Sequence, residues 1–255
     1  MNWVEVSKEL RGLLRLKDDP VAYRKLDDRS DLAKMKDVFR VPYLCSFCQV
    51  LFMARTLGMA VGVTKEDNVM VRCQMIHGVQ ASTEESKREE AGMLSATWFK
   101  DPEDAYQQQL DQYRVPPGKA IVVAPLEMAQ FEPEVILIFG NPAQLMMLMC
   151  GMQKEKYERF EFCFSGEGAC GDSLARCYVT GKVSLAIPCY GERAMGQVAN
   201  DELVIALPPK EIDRAISGLK TLSTTALGFR YPIAFAGGIL SPDPILKMVY
   251  PSAKA

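Results

Sequence analysis

Only one histidine, His77, occurs among the 255 residues. That excludes any zinc site built on two or three imidazoles, and it confines Ser-His or Cys-His nucleophilic catalysis to one position. Net charge is scarce too: 30 Lys+Arg against 32 Asp+Glu leave a formal charge of −2. No global field therefore favours nucleic acid or an anionic membrane. Long apolar runs are missing. The most apolar stretch, 135–152, is broken by Gly140, Asn141 and Pro142, which argues against a membrane span. Residues 1–19 carry charges throughout and no apolar secretory core, so no signal peptide is expected. Hydrophobic residues, at 48%, suffice for the core of one large domain or two small ones, and there are eight cysteines. Without export, these thiols are expected in a reducing cytoplasm, where they serve as ligands, catalysts or core residues more often than as disulfides.

Periodicity predicts a helix over 3–16, a strand over 20–23 and a helix over 46–57 closed by Gly58 and Gly62. A strand is expected at 68–73, and a helix opens at Asp101-Pro102, with acids at its positive end. It stops before Val115-Pro116-Pro117-Gly118, the strongest linker signal in the chain. Strands then follow at 120–124, 134–139, 158–164, 183–188 and 202–207, with helices at 143–152, 173–178 and 208–222. The tail, 224–255, is rich in Pro and Gly, with turns marked by Gly237-Gly238 and Pro242 to Pro244. The run Glu84 to Glu90 reads as a solvated helix face, and Met146, Met147, Met149 and Met152 read as core filler rather than a soft metal box.

The two halves, 1–115 and 119–223, look related. Cys48 to Arg55 resembles Cys170 to Arg176 with one residue deleted. Each is followed by an apolar strand ending in cysteine, Cys73 or Cys189, and then by a Pro-initiated acidic helix at Pro102 or Pro208. Internal duplication and chance similarity between two α/β units both account for this. The expectation is an α+β fold of two similar α/β halves with mixed sheets, because strands and helices do not simply alternate.

Several stretches carry a resemblance: Pro20-Val21-Ala22, Phe47-Cys48-Gln49-Val50, Ala124-Pro125-Leu126 and Ile138-Phe139-Gly140-Asn141-Pro142-Ala143-Gln144. Phe164-Ser165-Gly166, Cys170-Gly171-Asp172 and Cys189-Tyr190-Gly191-Glu192-Arg193 complete it. Over roughly residues 20–222 the chain resembles the uncharacterised family numbered 169 among domains of unknown function. The resemblance implies a cytoplasmic prokaryotic protein and brings no established activity. Tyr23 and Cys45 depart from the pattern and are not carried over as family features.

Cysteine is the main chemical signal. Cys45-Ser46-Phe47-Cys48 is a C-x-x-C ahead of a helix, and under a duplication Cys48 matches Cys170 while Cys73 matches Cys189. A pseudo-twofold would then bring four thiols together, with Cys45 as a substitute. Four soft ligands suit an iron–sulfur cluster, the favoured expectation, or a tetrahedral zinc. Cys150 and Cys163 lie in apolar segments and are expected in the core, and Cys177 is open. C-x-x-C at a helix start also suits dithiol exchange through a stabilised thiolate.

Gly166-Glu167-Gly168-Ala169-Cys170-Gly171 is a literal G-x-G-x-x-G, which in other contexts lets backbone amides approach a phosphate. His77 and Arg193 each follow a strand-ending cysteine by four residues. Arg193 suits a carboxylate or phosphate, and His77 suits a ligand or general acid. Two functional readings result. One is a cysteine-ligated metal centre with a redox or cofactor-handling role. The other is an enzyme or binding module for an anionic small molecule that uses Gly166, Gly168, Gly171, Arg193 and His77, with the cysteines structural. Expected partners are a small molecule or a redox partner, with homo-oligomerisation open and neither nucleic acid nor membrane. A non-catalytic partner protein has no specific signal.

Overall fold

Ala120–Pro125 (AIVVAP) and Val135–Gly140 (VILIFG) are buried at every position. Strands that are apolar on both faces need cover on both. The computed structural model, which describes residues 1–225, 228–233 and 251, provides it. One seven-stranded sheet contains β1 (Val21–Leu26), β2 (Val38–Arg40), β3 (Ala60–Thr64), β4 (Ala120–Pro125), β5 (Val135–Gly140), β6 (Ser184–Ala186) and β7 (Leu203–Leu207). Their order is β2-β3-β4-β1-β5-β7-β6. The β2–β3 pair is parallel and every other neighbouring pair antiparallel. The helices are α1 (Trp3–Leu14), α2 (Arg29–Lys34), α3 (Phe47–Arg55), α4 (Val71–Ile76), α5 (Glu84–Ser95), α6 (Pro102–Asp111), α7 (Pro142–Glu155), α8 (Arg176–Thr180), α9 (Tyr190–Ala194) and α10 (Ile212–Ser223). The fold is α+β.

Strand alternation divides the core between the two faces of the sheet. Ala22, Ile136, Ile138 and Ile205 pack with Leu10 and Leu14 of α1, Leu145 and Leu148 of α7, and Ile212 and Leu219 of α10. Val21, Tyr23, Leu137 and Phe139 point the other way, against Phe47, Val50 and Leu51 of α3 and against Cys170 and Leu174. The cysteines of interest lie on this second face. Local signals fix the helix starts. Ser46 and Gln49 form a capping box on α3, as do Asn141 and Gln144 on α7, and Asp101 caps α6 ahead of Pro102.

Several expectations are corrected. Residues 68–73 do not form a strand: Val69 makes one isolated bridge to Cys45, and the chain then turns into α4. The β-branched residues there read as strand, but Gln74 donates its side-chain amide to the carbonyls of Asp67 and Val69 and anchors the helical turn. Residues 158–164 form no strand either. Phe160 and Phe162 stack on each other, 6.2 Å between ring centroids, and pack beside the α7–α10 core. Gly62 lies within β3, where a Cβ would come within 2.7 Å of the Leu32 side chain. Cys163 is exposed rather than in the core, and Cys150 is half-buried. The turns expected in 237–244 lie outside the described residues.

The expected linker is tied to the first half, since Val115 and Gly118 donate their amides to the carbonyls of Ile76 and Gly78. After it, β4 enters the sheet between β3 and β1, so the sheet runs on across the expected boundary at 115–119. Within the sheet an order recurs. With α2, β2, α5 and α6 left out of the first series and α7 out of the second, β1, α3, β3, α4, β4 and β5, α8, β6, α9, β7 run through the same element types. In space β3-β4-β1 is followed by its reverse, β5-β7-β6, about an antiparallel β1–β5 pair. The Pro-initiated helices do not share this equivalence, because α6 precedes β4 whereas α10 follows β7. Among the described residues no helix is long and apolar enough to cross a membrane.

Candidate functional site

Four helical segments bring one cysteine each to a common place. Cys48 is the second residue of α3 and Cys73 the third of α4. Cys170 immediately precedes a π-helical turn, Gly171–Ala175, that runs into α8, and Cys189 caps α9. All four line one cavity of about 90 Å³, together with His77, Arg72, Glu167, Gly168 and the apolar side chains of Met70, Ile76 and Met195. One ordered water needs about 10–15 Å³ by this measure, so the space admits several waters or a compact ligand. Single-turn departures such as the π-helical turn recur at functional sites.

The thiols touch one another and their surroundings. The Cys48 thiol interacts with both Cys170 and Cys189. Cys170 donates to Glu192 Oε1 at 3.5 Å, and the Phe47 amide donates to Cys73 Sγ at 3.3 Å. Despite these donors, every thiol of the group is held protonated. The Cys170 bond raises Cys48, and burial pushes Cys73 up to about 11. The Cys48 bond favours a Cys170 thiolate, but burial and the Glu192 charge outweigh it and push Cys170 up to about 12. Cys189 is raised by its bond with Cys48 and by burial. Burial likewise lifts Glu192 to about 8, against the opposing pull of Cys170 and Arg55.

His77 ends α4, stacks on Phe47 at 3.6 Å between centroids and is buried with neither ring nitrogen partnered. Burial alone lowers it to about 3, so a neutral imidazole faces the cavity wall. Tyr23 lies 5.6 Å from it, centroid to centroid, with its buried hydroxyl also unpartnered.

The other sequence candidates are placed elsewhere. Cys45 is buried outside the cavity lining, so the C-x-x-C pair is split, with only Cys48 at the cavity. Arg193 is not part of the wall. Its guanidinium donates to the carbonyls of Ala199 and Glu202, so the expected border shared by Arg193 and the glycine loop does not form. Gly166 and Gly168 adopt φ of +78° and +91°, which suits glycine. The amides of Gly171 and Asp172 donate to the Gly168 carbonyl and that of Ser165 to Asp172. Arg72 was not among the sequence candidates. Its bonds to Glu167 span 95 positions, and no local pattern reports such a pair. Among the described residues, no group of three or more His, Cys, Asp or Glu side chains is arranged to hold a metal ion.

The family model of the uncharacterised ArCR proteins, DUF169, matches residues 9–218. An uncharacterised protein of Methanocaldococcus jannaschii is 28% identical over 102 residues, which is 40% of this chain and 44% of that protein. The match thus spans less than half of that relative's length. No solved structure matches.

Proposed function

The chain belongs to the DUF169 family, and we propose that it holds a thiolate-ligated metal centre, an iron–sulfur cluster rather than zinc, in the cavity bordered by Cys48, Cys73, Cys170 and Cys189. The carrying observation is the convergence of these four cysteines, from four separate helical segments, on one cavity. A mononuclear zinc needs four donors about 2.3 Å from a single point. A four-iron cluster bonds each sulfur to a different iron and needs a wider cage, so the contacts of Cys48 with Cys170 and Cys189 would open to admit it. The Phe47 amide on Cys73 is a donor of the kind that tunes cluster potential.

Electrostatics supports ligation over thiol catalysis. An exchanging thiol needs a depressed pKa, whereas burial and mutual contact raise all four here. A metal centre would displace these protons on binding, and its role is redox transfer or cofactor handling. That all eight cysteines are free supports a reducing, cytoplasmic setting. The recurring order of elements supports an internal duplication as the origin of the four-thiol arrangement.

The test is purification without oxygen, with iron, sulfide and zinc assays and a visible spectrum. The proposal predicts coloured protein with iron and sulfide in comparable amounts. Stoichiometric zinc without sulfide would replace the cluster by zinc, and protein that stays colourless and metal-free after anaerobic reconstitution rejects the reading.

A further inference from the structure

The thiol cavity has a second chemistry in its wall. Arg72, the second residue of α4, donates from Nη1 to Glu167 Oε1 at 2.6 Å and from Nη2 to Oε2. This fork-to-fork pair joins α4 to the glycine loop, and both residues line the cavity. The side chains are 13% and 19% exposed, which sets the pair where the cavity meets solvent. Burial works against the Arg72 charge, and Glu167 more than restores it. The Arg72 Nε is buried with no partner. Arg72 therefore keeps one donor that Glu167 does not saturate.

Glu167 stands between the two positive-φ glycines. At Gly166 nothing lies within 4 Å of where a Cβ would be, so the turn calls for glycine by conformation and not by space. Besides the Arg72 pair, the Glu167 residue is held by the Gln108 amide, which donates to its carbonyl at 3.2 Å, and by the Ser165 hydroxyl on the same carbonyl. The Gln108 amide also reaches the carboxylate, at 3.4 Å from Oε2, so release of Arg72 gives up that contact as well, while the bonds to the Glu167 carbonyl still hold the loop.

We propose that Arg72 anchors the carboxylate of a small ligand entering the thiol cavity, and that Glu167 is the internal carboxylate that keeps its place in the free protein. A planar carboxylate matches the guanidinium fork in the way Glu167 does. Exchange of one carboxylate for another leaves no buried arginine unpaired, which is the costly outcome. The remaining wall, Met70, Ile76, Met195 and the thiols, is apolar and soft. With about 90 Å³ available, the ligand is a short monocarboxylate with a compact apolar remainder. A cluster in this cavity would take the same space, so the inference concerns the metal-free protein and does not rest on the metal reading.

Calorimetric titration with propionate, propionamide and inorganic phosphate tests it, on wild type, Glu167→Gln, Glu167→Ser and the double variant Arg72→Gln/Glu167→Gln. With the internal competitor removed, either Glu167 variant should bind propionate at least tenfold more tightly than wild type. The double variant should lose binding, and propionamide should bind to none. Far-UV circular dichroism identifies which Glu167 variant is folded, and one suffices. Propionate binding that is no tighter without Glu167, or that survives loss of Arg72, overturns the proposal. Phosphate binding as tight as propionate overturns the carboxylate assignment. Titrations use metal-free protein, and iron uptake is assayed separately after anaerobic reconstitution: anion binding without iron uptake counts against the cluster alone, and iron uptake without anion binding counts against this inference alone.

Discussion

His77 and Glu192 are both buried in the same region and both titrate away from their ordinary values, in directions that give opposite pH dependence. The folded His77 takes up a proton only near pH 3, because burial disfavours the charged ring, whereas the unfolded chain takes it up near the ordinary histidine value of 6.5. Its contribution to stability is therefore complete above pH 6.5 and lost as pH falls from there toward 3, by about 1.4 kcal/mol per pH unit. Urea unfolding at pH 7 and pH 5 should show about 2 kcal/mol more loss in wild type than in His77→Phe, and equal losses would contradict the assignment. Glu192 is raised by burial to about 8 from 4.5. Its unfolded form gives up a proton that the folded form keeps, so its contribution is complete below pH 4.5 and is lost as pH rises toward 8. Glu192→Gln, which cannot titrate, should lose less stability than wild type between pH 6 and pH 8 in the same assay. A slope unchanged by the substitution would show that Glu192 is ionised in the folded protein.

Helix contacts carry a separate expectation. On the face of the sheet away from the thiols, α7 and α10 approach so closely that a Cβ on Gly218 would sit 1.8 Å from the Gly151 carbonyl oxygen. Gly218→Ala must push two backbones apart and should destabilise by about 1–3 kcal/mol, read by urea unfolding. A neutral effect would mean that the pair is looser than described. Elements of this kind were legible in the sequence where caps announced them: Asn141-Pro142 opens α7, Asp101-Pro102 opens α6 and Ser46 opens α3. The central strands were legible as unbroken apolar runs because both their faces are covered. Residues 68–73 and 158–164 were misread for one reason. Apolar and aromatic residues suggested a sheet face, but of these stretches only Val69 is buried, and Phe160 and Phe162 are half-buried beside the α7–α10 core. The short α2 and β2 have no sequence signal strong enough to have been read.

Across the whole molecule, the site depends on distant parts of the chain meeting on one face of the sheet. The sequence offered Cys48, Cys73, Cys170 and Cys189 as a set, and all four line a single cavity. The alignment of the two halves misplaced Arg193, because matching positions on α4 and α9 do not face the same way: His77 turns inward while Arg193 bonds carbonyls outside the cavity wall. Arg72 and Glu167 were invisible for the converse reason, since their pairing is made by the fold and leaves no local pattern. The central claim is that these four thiols, and no other cysteines, hold the metal centre. Its most direct test is the iron content of eight single Cys→Ser variants, each purified and reconstituted without oxygen beside the wild type. The account predicts a marked loss of iron at Cys48, Cys73, Cys170 and Cys189, and wild-type content at Cys45, Cys150, Cys163 and Cys177. Iron retained in all four cavity variants, or lost as readily at Cys163 or Cys177, would contradict it.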